Sequence, residues 1–261
     1  ATATQAGVLV NDSFNLGLSN VASLAGVAVS DTGFTGNYSV SAGATHPGSS
    51  GYGQFTTTGL SFGPNFHAVS GGAAVVNATG GPTTGNAQQV ENLTATISAS
   101  ATGTVYSSYL LSFSGSTWRT DNNGWTDVRT TAGGLNTAFN YFNNYNNAPG
   151  VNYGWIADNS GGNTLNPVLA TTYLVLSKFT NVGTALSAGT PGVANLWVLD
   201  QTHYNNWFAA GALESQLGSY ALATDSATVT SGTFNLNGTF TNRVNSGNFG
   251  SNSITQTVDE F

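Results

Sequence analysis

Eleven carboxylates, four basic side chains and three histidines are all the ionisable acid–base chemistry this 261-residue chain can draw on, apart from its tyrosines. Glycoside hydrolysis takes two carboxylates on one face, about 5 Å apart in retaining enzymes. On a strand that means an E-x-D-x-E type array, and none occurs. Glu91, Glu214 and Glu260 are isolated from one another, and the adjacent Asp259 and Glu260 fall on opposite faces of any strand that holds them. His46, His67 and His203 are scattered among turn and strand residues, with His46 before Pro47 in a loop. The many serines include none in a Gly-x-Ser-x-Gly elbow, and without cysteine there is no thiolate chemistry, disulfide or zinc ribbon. The residue types point away from catalysis.

Binding chemistry is better represented. Asp121, Asn123 and Asp127 lie in an Asx-rich stretch, and carboxylates beside amides and carbonyls suit calcium. The stretch lacks the closing Glu of an EF-hand, and an Asx-rich turn without an ion is the favoured account of it. Asp12 and Asp259 form a second candidate pair if the terminal strands are neighbours. The most unusual segment is 139–153, FNYFNNYNNAPGVNY, read as a long loop. Its Phe139, Tyr141, Phe142, Tyr145 and Tyr153, with Trp118, Trp125 and Trp155, form a candidate contact surface. Aromatic faces stack on sugars or partner chains while amides bond to hydroxyls or backbone. Trp197, in an apolar strand, is assigned to the core.

Strands must position these groups. Thr104–Phe113 puts Val105, Tyr109, Leu111 and Phe113 on one face, and Thr233–Phe240 alternates Phe234, Leu236 and Phe240 with Thr and Asn. Thr172–Phe179 and Val193–Leu199 are more continuously apolar, which predicts strands inside a sheet and covered on both sides. Weaker strands are expected at Ala6–Val10, Val27–Ser30, Gly53–Thr58, Ala68–Asn77, Val90–Ser98, Tyr153–Ala157, Tyr220–Thr230 and Ile254–Phe261. If the last pairs with Val8–Phe14, it leaves an edge open for association between copies; a frayed end that contacts nothing is the equal alternative. One short helix is predicted over Asn206–Leu217. The pattern is all-β: a two-sheet antiparallel sandwich, with the whole chain as one domain.

Charged residues are only 6% of the chain and the net charge is −7, against roughly 25% charged in ordinary soluble proteins. Arg119, Arg129, Lys178 and Arg243 are too few to grip phosphates, so nucleic acid is not an expected partner. No apolar run approaches the about 18 residues of a spanning helix. With 39% apolar and 11% aromatic residues the chain packs rather than remaining disordered. Absent cysteine and methionine, few protease-sensitive basic sites and an Ala-Thr-Ala-Thr start together suggest a processed, secreted bacterial protein.

Several segments resemble one family. Asp12-Ser13-Phe14, Gly59-Leu60-Ser61-Phe62, and Gly103-Thr104-Val105-Tyr106 leading to Leu110-Leu111-Ser112-Phe113 are similar to its strand motifs. So are Tyr173–Phe179 followed by Ala194-Asn195-Leu196-Trp197-Val198, and the closing Val258-Asp259-Glu260-Phe261. These resemble the concanavalin A-like, laminin-G-like jelly-roll domains of bacterial exported proteins that carry a PEP-CTERM sorting signal. The resemblance implies a jelly roll and a cell-surface or extracellular location; the Pro-Glu-Pro signal, apolar helix and basic end are absent from this sequence. Two non-enzymatic roles follow. The first is a structural subunit of an extracellular matrix, filament, sheath or surface layer, with itself as partner. The alternative is a lectin-like module binding an extracellular polysaccharide, with or without calcium.

Overall fold

Apolar–polar alternation resolves into strands along more than half of the described chain. The computed structural model describes residues 14, 16–20, 23–29, 34–42, 54–66, 71–79, 89–97, 102–115, 122–132, 135–137, 139–143, 151–155, 164–165, 168–233, 239–246 and 253–259. The expected strand Ala6–Val10 and Asp12, His46, His67, Trp118, Asp121 and Tyr145 lie outside these residues. In chain order the elements are β1 (Phe34–Ala42), β2 (Gln54–Thr56), β3 (Ala73–Thr79), β4 (Gln89–Ile97), β5 (Gly103–Gly115), β6 (Asn122–Ala132), β7 (Leu135–Thr137), β8 (Phe139–Asn143), β9 (Val151–Trp155), β10 (Thr164–Leu165), β11 (Thr172–Val182) and β12 (Gly192–Asp200). There follow α1 (Gln201–Ala209), a 3-10 turn (Glu214–Gln216), α2 (Leu217–Tyr220), β13 (Ala223–Val229), β14 (Thr239–Ser246) and β15 (Ser253–Asp259).

The strands form two antiparallel sheets. One has seven strands in the order β13-β12-β11-β5-β15-β3-β2; the other has eight, β1-β4-β14-β6-β8-β9-β10, with β7 paired to β6. The protein is therefore all-β with two α-helices among the described residues. No helix among them is long and apolar enough to cross a membrane.

Strand alternation sorts the seven-stranded sheet into two faces. On one, Tyr109, Leu111 and Phe113 of β5, Tyr173, Val175 and Phe179 of β11, and Leu196 and Val198 of β12 are buried. On the other, Leu110, Leu174 and Leu199 stand side by side in register. They are buried with Phe62, Tyr204 and Leu217 under the helical excursion that follows β12. This explains the continuous apolar run of β11: its first half has cover on both faces, as the composition of Thr172–Phe179 requires.

The helix begins earlier than Asn206. Asp200 ends β12 and caps α1, its Oδ1 accepting from the His203 backbone N–H at 2.8 Å. The chain leaves the helix at Gly211, whose φ of 101° suits glycine, and resumes as the 3-10 turn and α2. The helix predicted over Asn206–Leu217 is therefore two short pieces with a break between them. Because the cap satisfies one orphan N–H, Asp200→Ala is expected to lower stability by about 0.5–2 kcal/mol. Urea unfolding followed by circular dichroism checks it.

Two further expectations are corrected. β15 does not pair with Val8–Phe14 at an open edge: it runs between β5 and β3, hydrogen-bonded to both. Of the strand expected at Thr233–Phe240, Thr233 makes an isolated bridge to Ala185 and Thr239 opens β14, while residues 234–238 lie outside the described residues. The segments read as an Asx-rich stretch and an aromatic loop are largely β6, β8 and β9. Their Tyr, Phe, Trp and Thr content favours a pleated surface, and ladder pairing on either side outweighs the turn preference of their asparagines.

Candidate functional site

Three successive cross-strand rows on the helix-bearing face of the seven-stranded sheet build a pocket. The first, Leu110–Leu174–Leu199, is sealed by the helical excursion. Two residues further along each strand comes Ser108–Leu176–Trp197, and then Tyr106–Lys178–Asn195. The face thus grades from apolar to polar over about 14 Å. The excursion covers the first row and touches the third through Glu214, leaving the middle row as a floor. The resulting cavity of about 300 Å³ is lined by Tyr106, Ser108, Leu176, Trp197, Trp207 and Glu214, among others.

Trp207 forms one wall. Its indole N–H donates to the Leu213 carbonyl at 2.9 Å, and its ring meets Tyr204 edge-on at 6.0 Å between centroids. That pairing belongs to an aromatic cluster in which Phe62, Phe66 and Tyr204 pack edge to face. The wall is thereby fixed before any ligand arrives. Trp197, assigned to the core from its apolar strand, is instead half-buried and lines the pocket floor. The reason is parity: it shares a face with Leu199, and the helices extend far enough to bury Leu199 but not Trp197.

The rim is a closed ionic group. Glu214 accepts from Lys178 Nζ at 2.5 Å and from the Tyr106 hydroxyl at 2.6 Å. Lys178 also sits 5.7 Å from the centre of the Tyr106 ring, within cation–π range. Hydrogen bonds from Lys178 and then Tyr106 hold the Glu214 carboxyl below its ordinary value of 4.5. The bond to Glu214 raises Lys178 above 10.5 and is the largest cause raising Tyr106 above 10.0.

The lowered carboxyl stabilises the fold above its unfolded pKa, and that contribution is lost as pH falls through the folded value. The raised ammonium contributes below its unfolded pKa, and loses its contribution as pH rises through the folded value. The latch is therefore closed between about pH 4.5 and 10.5. Glu214 is 43% exposed, so the effect on global stability is small and salt-sensitive. The expected result is a wild-type tryptophan fluorescence change, missing from Glu214→Gln, as pH falls below the ordinary carboxyl value of 4.5.

Among the residues lining this pocket Glu214 is the one carboxylate, so paired-carboxylate chemistry lacks its second member there. Among the described residues no three His, Cys, Asp or Glu side chains gather as a metal site. Asp259 is fully buried and its Oδ2 accepts from the Leu60 N–H at 2.6 Å, which ties the Gly59–Phe62 segment to β15.

The residues singled out from sequence fall on the other sheet. Asn123, Trp125 and Asp127 are on β6, Phe139, Tyr141 and Phe142 on β8, and Tyr153 and Trp155 on β9. Phe142 is in register with Gly124 and Tyr153, and Phe139 with Trp155, so sheet pairing brings these positions together. Asn123 and Asp127 stand four strand positions apart on β6. None of the residues around the pocket was singled out from sequence as part of a site. Their one legible signal was parity: Ser108, Leu176 and Trp197 alternate with core positions on three predicted strands.

No protein-family model, curated protein or solved structure matches the chain.

Proposed function

We propose that this chain is a secreted, non-enzymatic jelly-roll sandwich of the concanavalin A-like kind, and that its pocket binds one unit or a short stretch of a neutral extracellular polysaccharide. Two antiparallel sheets support the sandwich, as do contacts of β14 with β15 and β3 and of β13 with β9. Strand motifs similar to those of exported bacterial proteins support the extracellular location.

The observation that carries the binding role is the pairing of a preset aromatic wall and floor, Trp207 and Trp197, with the Tyr106–Lys178–Glu214 rim. A sugar ring offers an apolar face of C–H groups and an edge of hydroxyls, and the pocket offers the complement of both. Its volume of about 300 Å³ sits at the small end of ligand sites. Because Lys178 and Glu214 neutralise one another and the chain carries a net charge of −7, an acidic sugar meets no free cation there. The test is calorimetric titration with neutral hexose oligosaccharides and with uronic-acid oligosaccharides of equal length. Binding of the neutral set alone is expected; binding of neither, or of the acidic set alone, refutes the reading.

A structural subunit of a matrix, filament, sheath or surface layer is the second reading, favoured by the charged content of 6%, which lowers the electrostatic cost of packing copies together. Strand addition at β15 is no longer its route, since β15 is paired on both sides. Negative-stain microscopy separates the two: ordered polymers favour the subunit, dispersed particles the binding module.

A further inference from the structure

Hydrogen-bonding capacity is unevenly engaged around the pocket. At the rim the Glu214 carboxylate accepts from both Lys178 and Tyr106. In the wall the Trp207 indole N–H donates to the Leu213 carbonyl. On the floor, the Ser108 hydroxyl and the Trp197 indole N–H have no partner among the described residues. They flank Leu176, which is in register with both, so their backbones lie two strand spacings apart, about 9.6 Å. An indole N–H only donates, whereas a serine hydroxyl donates and accepts. The floor thus holds an open donor and an open acceptor with an aliphatic side chain between them.

Around that pair the lining is apolar. Leu217, which is buried, and Ala212 line the same cavity as Leu176. Ala212 has a φ of 53°, a left-handed conformation that a residue with a Cβ seldom adopts. Its N–H bond to the Trp207 carbonyl, at 3.0 Å, helps to hold it there. Backbone strain of this kind clusters at ligand clamps, and here it falls on a lining residue. Sugar hydroxyls pressed onto Leu176, Leu217 and Ala212 would lose water and gain no partner. A substituent that ends in a methyl group avoids that penalty.

We propose that the pocket selects an N-acetylated sugar unit, an N-acetylhexosamine within a neutral polysaccharide, and reads its acetamido group on the floor between Ser108 and Trp197. The proposal rests on the polysaccharide reading above and narrows it. A trans amide projects its carbonyl and its N–H from opposite edges of one plane, as Trp197 and Ser108 stand on opposite sides of Leu176. The carbonyl accepts from the Trp197 indole N–H, and the amide N–H donates to the Ser108 hydroxyl. The methyl group packs on the aliphatic lining. The sugar ring is left for the Trp207 wall, and its remaining hydroxyls for the rim. The acetamido group carries no charge, in keeping with a rim where Lys178 and Glu214 neutralise one another.

The experiment is calorimetric titration of the full chain with tri-N-acetylchitotriose and with cellotriose, β-linked trimers that differ only in the acetamido group. The N-acetylated trimer is expected to bind at least about tenfold more tightly. Ser108→Ala, at an exposed position, should cut that ratio about fivefold by removing the acceptor for the amide N–H. Saturation-transfer NMR on wild type needs no variant: the acetamido methyl should receive more transfer than the ring protons. Cellotriose binding as tightly as the N-acetylated trimer overturns the proposal and leaves the polysaccharide reading standing. A ratio unchanged in folded Ser108→Ala also overturns it, as does a methyl signal weaker than that of the ring. If neither trimer binds while other neutral oligosaccharides do, the proposal falls alone. If no neutral oligosaccharide binds, the reading beneath it falls as well.

Discussion

Leu174→Ala is expected to destabilise the fold by about 2–5 kcal/mol, lowering Tm by roughly 4–20 °C for a chain of this size. The side chain is 2% exposed and stands between Leu110 and Leu199 in register. Phe62, Tyr204 and Leu217 close over the three leucines from loop, α1 and α2. Removing its methyl groups costs their transfer energy plus the cavity left beneath two short helices. Neither α1, with nine residues, nor α2, with four, is long enough to persist without packing. The helical excursion should therefore loosen with the leucine row. Scanning calorimetry reads the global loss, and hydrogen exchange over 201–220 reads the local one. A variant melting within a degree or so of wild type would mean that the excursion does not depend on this row.

Trp197→Ala should weaken neutral oligosaccharide binding by about 30-fold or more, the loss of roughly 2 kcal/mol typical of a central aromatic anchor. Trp197 supplies the aromatic part of the pocket floor, and its neighbours in register, Leu176 and Thr224, offer no ring in its place. Stability should change much less than in Leu174→Ala, because Trp197 is only half-buried. Trp197→Phe, which keeps a ring, should restore part of the affinity. Titration calorimetry on the three proteins, each checked for its melting temperature, measures the ordering. Equal affinity in all three would remove Trp197 from the site and with it the carrying observation of the binding role.

The strands most legible in sequence were those whose side chains alone specify them. β5 alternates cleanly, and the expected strands at Thr172–Phe179 and Val193–Leu199 appear as β11 and β12, Phe179 opposite Ala194 and Tyr173 opposite Asp200. β6 was hidden because Asp-Asn-Asn-Gly also spells a turn, and only neighbours on both sides make it a strand. β8 was hidden for the same reason by its asparagines. The helix was misplaced because Asp200 belongs to both β12 and the cap, a double role that no propensity reports. The pocket rim joins Tyr106, Lys178 and Glu214 across separations of 108 and 36 residues to Glu214. Pairings at that range depend on the sheet register and leave no local pattern.

The position of β15 governs the order in which this protein is finished. Residues 253–259 are inserted between β3 and β5, two strands from far earlier in the chain. Until they arrive, the seven-stranded sheet is split into two pieces, β13-β12-β11-β5 and β3-β2, each with an unpaired edge. Contacts between such distant segments make folding slow. A chain emerging residue by residue therefore keeps this sheet open until this late strand slides home as its keystone.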